Sequence, residues 1–69
     1  MKLVFRRSNG EHLELADVNS IDEAWQHMKA FMDQHNYKSY YTRSWYDPEE
    51  SCTWFDVGSW SEFFKLYDD

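Results

Sequence analysis

A chain of 69 residues with a single cysteine, Cys52, can form no internal disulfide, and neither a Cys₄ nor a Cys₂His₂ zinc site can be built from that count. A domain of this size buries only about 60% of the surface that its unfolded chain exposes. Natural domains this small often add a covalent or metal staple. Cohesion here must come from apolar packing, and the chain carries four Trp, five Tyr and five Phe for it. Each such ring can bury about 150–250 Å². Full burial of one Phe-sized side chain contributes roughly 1.5–3 kcal/mol, so a handful would suffice. The length allows one core and one domain, residues 1–69.

The order of the periodic segments predicts a small α+β fold. Leu3, Val4 and Phe5 begin a strand, and Leu13, Leu15 and Val18 are assigned to a second. Between them, Asn9-Gly10 is a strong hairpin signal. A three-residue loop, Ser8-Asn9-Gly10 with Gly10 left-handed, sets Leu3 opposite Leu15, Phe5 opposite Leu13 and Arg7 opposite Glu11. That register puts the apolar residues on one face; a two-residue loop would split them. Ser20 and Glu23 have the spacing of a capping box, and Ile21, Ala24, Trp25, Met28, Phe31 and Met32 repeat as one helix face. Asn36 suits the left-handed position that ends the helix.

Tyr37 to Tyr46 reads as a strand, Asp47-Pro48-Glu49-Glu50 as a turn, and Cys52 to Val57 as the returning strand, with Gly58-Ser59 as its interruption. The last segment, 59–69, fits a short helix capped by Ser59 or a strand through Phe64 and Leu66. The strand is preferred, because a terminal helix that short has little support of its own. The expected architecture is ββαββ plus a short C-terminal strand, one antiparallel sheet with the amphipathic helix on one face.

No residue constellation points to catalysis. His12, His27 and His35 lack the spacing of a helical ligand pair, so no metal is expected. Cys52 follows Asp47, Glu49 and Glu50, whose charges oppose thiolate formation and argue against a nucleophile. The two glycines, Gly10 and Gly58, form no phosphate-binding loop. The chain is therefore expected to be no enzyme and to need no cofactor. A formal charge of −6 repels phosphates and anionic head groups, so direct nucleic-acid binding and membrane binding are disfavoured. Met1 to Phe5 is too short for a signal-peptide core, and a lone thiol fits a reducing compartment; the expected location is cytoplasmic.

The aromatic residues exceed what one helix on one small sheet can cover. Tyr37, Tyr41 and Trp45 fall on one alternate set and Tyr40 and Tyr46 on the other, while Trp54 and Phe55 point to opposite faces. Tyr and Trp are favoured anchors of protein contacts. The candidate interaction surface is the face opposite the helix, with Tyr40, Tyr46 and one of Trp45 or Trp54 in it. It is expected to be buried in a homodimer or against a partner protein. A small-ligand-binding or sequestering protein, with an aromatic pocket at a dimer interface, is the alternative.

The segment Thr53-Trp54-Phe55-Asp56-Val57-Gly58-Ser59-Trp60-Ser61-Glu62-Phe63-Phe64 resembles the end of small uncharacterised proteins encoded by phages and prophages of Gram-positive bacteria. The resemblance rests on an Asp-x-Gly-Ser turn followed by a Phe-Phe pair. It implies a cytoplasmic accessory protein of an infected bacterium, of a kind that includes inhibitors of host enzymes.

Overall fold

A computed structural model describes residues 1–38, 42–58 and 61–68. The elements run β1 (Lys2–Arg6), β2 (His12–Asp17), α1 (Ile21–Gln34), β3 (Arg43–Asp47), β4 (Cys52–Asp56) and β5 (Phe63–Tyr67). All pairings are antiparallel, and the sheet order is β2-β1-β5-β4-β3. The α+β architecture, with one helix on one face, is as the sequence predicts, and the closing segment is a strand.

The first hairpin closes as the turn chemistry requires. The Gly10 N–H donates to the Arg7 carbonyl at 2.9 Å and the Arg7 N–H to the Glu11 carbonyl at 2.8 Å, with Gly10 at φ +89°. A type I turn followed by a left-handed residue matches the twist of the strands that it joins. Phe5 lies opposite Leu13, but Leu3 lies opposite Ala16, where strict alternation places Leu15. The difference is a β-bulge. Without it, Leu13, Leu15 and Asp17 would all point inward. The extra residue shifts the phase, so that Ala16 faces the helix, Asp17 turns out beside Lys2, and Val18 is buried.

The helix begins on Ser20, whose hydroxyl accepts the Glu23 N–H at 3.1 Å. The Glu23 carboxylate reaches past the cap residue and accepts the Asn19 N–H at 2.7 Å, so the box closes one residue earlier than its usual form. At the other end Asn36 is left-handed (φ 52°), the Tyr37 N–H donates to Met32 O at 2.8 Å, and the Asn36 N–H donates to Asp33 O at 3.4 Å. This is the paired closure of a Schellman motif. It also corrects the third strand, which begins at Arg43 and not at Tyr37. Tyr37 is consumed by the helix cap, and its ring turns inward to meet Phe5 edge-on, centroids 6.1 Å apart.

Ala24, Met28 and Met32 of α1 are buried against Leu3, Phe5, Phe55, Val57, Phe64 and Leu66. Phe31 packs on Phe5 and Phe64, and Trp25 meets Phe55 edge-on at 5.2 Å. Phe64 is fully buried and touches both hairpin and helix. Phe64→Ala should therefore lower stability by about 3–5 kcal/mol. Ile21→Ala, half-exposed on α1, should stay within about 0.5 kcal/mol. Urea unfolding of both variants checks this, and equal effects would refute the core assignment.

Candidate aromatic interaction surface

Strand pairing sets out the sheet face that points away from the helix. One cross-strand row runs Glu14–Val4–Lys65–Trp54–Trp45, each member opposite the next. Residues opposite one another project to the same side. The row on one side holds His12, Arg6 and Phe63, with Asp56 paired to Arg43; the row on the other holds Asp17, Lys2, Tyr67, Cys52 and Asp47.

Trp45 and Trp54 stack nearly parallel, with centroids 5.9 Å apart and planes 7° apart. Phe63 stands edge-on to both, at 6.3 Å from Trp45 and 5.4 Å from Trp54. Edge-to-face and offset stacks are the favourable ring geometries. Trp45 is 43% exposed, while Trp54 and Phe63 are half-buried, so the cluster has an inner wall and one open end.

Carboxylates frame the cluster. The indole N–H of Trp54 donates to Asp47 Oδ2 at 3.3 Å. Asp47 Oδ1 accepts the N–H groups of Glu49 and Glu50, which fixes the turn between β3 and β4. At the other end Arg43 pairs with Asp56 at 2.8 Å, and Asp56 also accepts the Gly58 N–H.

Beneath this rim lies a buried cation. Lys65 is 2% exposed; its Nζ sits 2.6 Å from Glu50 Oε1, 4.5 Å from the Trp54 centroid and 5.0 Å from that of Tyr67. Desolvation pulls the Lys65 pKa down, but hydrogen bonds with Glu50 and Tyr67 outweigh it, and the net direction is up. Burial likewise raises the Cys52 thiol above its ordinary value, aided by Glu50, Asp47 and Asp68 and opposed by Lys65. The hydroxyl of Tyr46 donates to Asp68 Oδ2 at 2.6 Å, and that bond raises its pKa.

The expected surface residues are thus divided. Trp45 and Trp54 share the open face. Tyr46 points to the opposite side of the sheet, on the row of Thr53 and Leu66, where it is 53% exposed. Its neighbour in sequence, Trp45, has the other parity, so the two cannot share a face. Tyr40 lies outside the described residues. Phe63, Lys65, Tyr67 and Glu50 join the surface unforeseen. The signal for them is the alternation Phe63-x-Lys65-x-Tyr67, legible once the last strand is known to sit inside the sheet.

Elsewhere, Phe5, Arg7, Leu13, Phe31, His35, Tyr37 and Glu62 line a cleft of about 180 Å³ on the helix side. A shallower depression of about 410 Å³, lined by Lys2, Val4, His12, Glu14, Tyr67 and Asp68, opens beside β1 and β2; ligand pockets commonly span about 300–1,000 Å³. No helix among the described residues is long and apolar enough to cross a membrane. Compared with known proteins, the chain matches no family model, no curated protein and no solved structure.

Two outcomes follow from the buried pair. Glu50→Ala strands the Lys65 ammonium among rings and should cost about 1–3 kcal/mol. Lys65→Met leaves only a half-exposed carboxylate, which water can satisfy, and should cost less. Urea melts rank the two, and the reverse order would contradict the pairing. The alkaline limb is the second. A folded pKa above the unfolded one gives stability that is complete below the unfolded value and lost as pH rises toward the folded one. For Cys52 the loss begins near the free thiol value of about 8.5, and for Lys65 near about 10.4. Stability should fall above pH of about 8.5, and Cys52→Ala should delay the onset toward the lysine range. An unchanged onset would count against the thiol.

Proposed function

We propose that this chain is a non-catalytic protein-interaction module that engages its partner through the sheet face opposite the helix, as a phage-type cytoplasmic accessory protein that modulates a host protein. One observation carries the reading: the Trp45–Trp54 stack, walled by Phe63, leaves one large indole open to solvent. A large exposed indole is among the side chains most often found to dominate a protein contact. Burial of Lys65 and anchoring of Trp54 by Asp47 hold the cluster rigid, which lowers the entropic cost of docking on it. Asp47 and Glu50 border the cluster, and the chain as a whole carries −6, so the favoured partner surface is basic with an apolar centre.

An affinity capture from a lysate of Gram-positive bacteria, with wild type and a folded Trp45→Ala variant as parallel baits, tests the reading. A protein held by the wild type and lost at least tenfold by the variant is the expected result. The same set of proteins on both baits, or none on either, would overturn it.

A further inference from the structure

The helix leaves one corner of its own side of the sheet open. Leu13 lies opposite Phe5 and so projects to the helix side, yet it is 44% exposed while Phe5 is 5% exposed. Beside them, where α1 ends, is the half-open cleft of about 180 Å³. Its floor is aromatic: Phe31 packs on Phe5 with centroids 4.7 Å apart, and Tyr37 meets Phe5 edge-on. The Schellman closure fixes the backbone of Tyr37, and Phe31 belongs to the last turns of α1. The floor therefore stands ready before anything binds, which keeps the entropic cost of binding low.

Two donors stand at this cleft without partners. The Arg7 backbone closes the hairpin, but its guanidinium makes no hydrogen bond or ion pair with a described residue. The ring nitrogens of His35, whose imidazole lies over Phe31 at 4.4 Å, have none either. Glu62 also lines the cleft, and it already has an interaction within the chain. Size narrows the occupant further. An apolar cavity of about 150 Å³ is enough to take up benzene, so this cleft holds a single ring and little else. The larger depression beside β1 and β2 offers no comparable handle, because its Lys2 is paired with Glu14 and its Asp68 accepts the Tyr46 hydroxyl.

We propose that this cleft is a binding site for a small aryl carboxylate, its ring laid on Phe5, Phe31 and Tyr37 and its carboxylate held by Arg7. The forked N–H groups of a guanidinium match a carboxylate in geometry as well as in charge. Apolar contact with the rings and Leu13 supplies the affinity, and Arg7 supplies the choice of an acid over an amine. The −6 of the whole chain opposes an anion at long range. At physiological salt, however, charges beyond about 8 Å are largely screened, so Arg7 dominates at the cleft. A single ring in a half-open site binds weakly, in the millimolar range. The site is separate from the Trp45 face and does not depend on the reading given to that face.

Phenylacetate, benzyl alcohol and benzylamine present the same ring with an acidic, a neutral and a basic head. Each is titrated into the full chain at physiological salt and followed through backbone amide NMR shifts. Phenylacetate should give saturable shifts at Leu13, Phe31 and Tyr37, and should bind about fivefold tighter than benzyl alcohol, which is what one exposed ion pair can supply. Benzylamine should bind more weakly than either. Arg7→Gln, at an exposed position outside the core, should bring phenylacetate down to the level of benzyl alcohol and leave benzyl alcohol unchanged; Arg7→Lys should keep part of the preference. Trp45→Ala should alter none of these affinities, so loss of partner capture in that variant is a separate result. Shifts that never saturate would overturn the proposal. So would shifts that centre on Trp45 or on the β1–β2 depression, equal binding of acid and alcohol, or an Arg7→Gln variant that binds phenylacetate as wild type does.

Discussion

The sheet depends on one insertion: β5 lies between β1 and β4, pairing with Leu3 through Leu66 and Phe5 through Phe64 on one side, and with Phe55 through Phe64 on the other. Remove it, and the chain is two separate hairpins, neither of which has enough area to be stable alone. With it in place, Phe5, Phe31 and Phe64 close a three-ring contact that ties the first hairpin to the helix, and Trp25 on Phe55 ties the second. The same strand decides the other face. Its outward residues, Phe63, Lys65 and Tyr67, become the floor and inner wall of the tryptophan cluster. Core and surface are thus two sides of one five-residue strand.

The polar arrangement follows from that floor. A lysine at the centre of a small sheet is costly unless its charge is met, since desolvation alone would drive the proton off. Glu50 reaches in from the turn, and two ring faces supply further negative potential, so the ammonium persists. The turn that delivers Glu50 is itself held by Asp47, which also anchors Trp54. Turn geometry, the buried charge and the exposed indole stack are therefore coupled through two neighbouring carboxylates.

Features set by short-range chemistry were legible in the sequence. Ser8-Asn9-Gly10, the Ser20 cap and the left-handed Asn36 each answer to the backbone within a few residues, and each stands where its side chain predicts. Features set by distant partners were not. The bulge at Leu15 exists because Val18 must be buried and Asp17 must not, a demand that becomes visible only when the hairpin meets the helix. The shortening of β3 follows from Tyr37 closing the Schellman motif and filling space beside Phe5. The open face was half legible. The parity of Trp45 against Tyr46 follows from alternation, but which parity faces the helix is set by Phe55, Phe64 and Leu66 across the sheet. Lys65 could not be placed until β5 was known to be interior.

The interior position of β5 also bears on how the protein is made. During vectorial synthesis both hairpins and α1 emerge before Phe63, yet the β1 and β4 edges that will flank β5 have no mate until Tyr67 has left the ribosome. Pairings that span most of the chain, such as Lys2 with Tyr67, are slow to form. For that interval the residues of β1 and β4 that will flank β5 stay unmated, in hairpins too small to be stable alone. Folding is in this sense held until translation has passed the last strand, and a ribosome stalled just short of it would hold a chain suited to aggregation or chaperone capture.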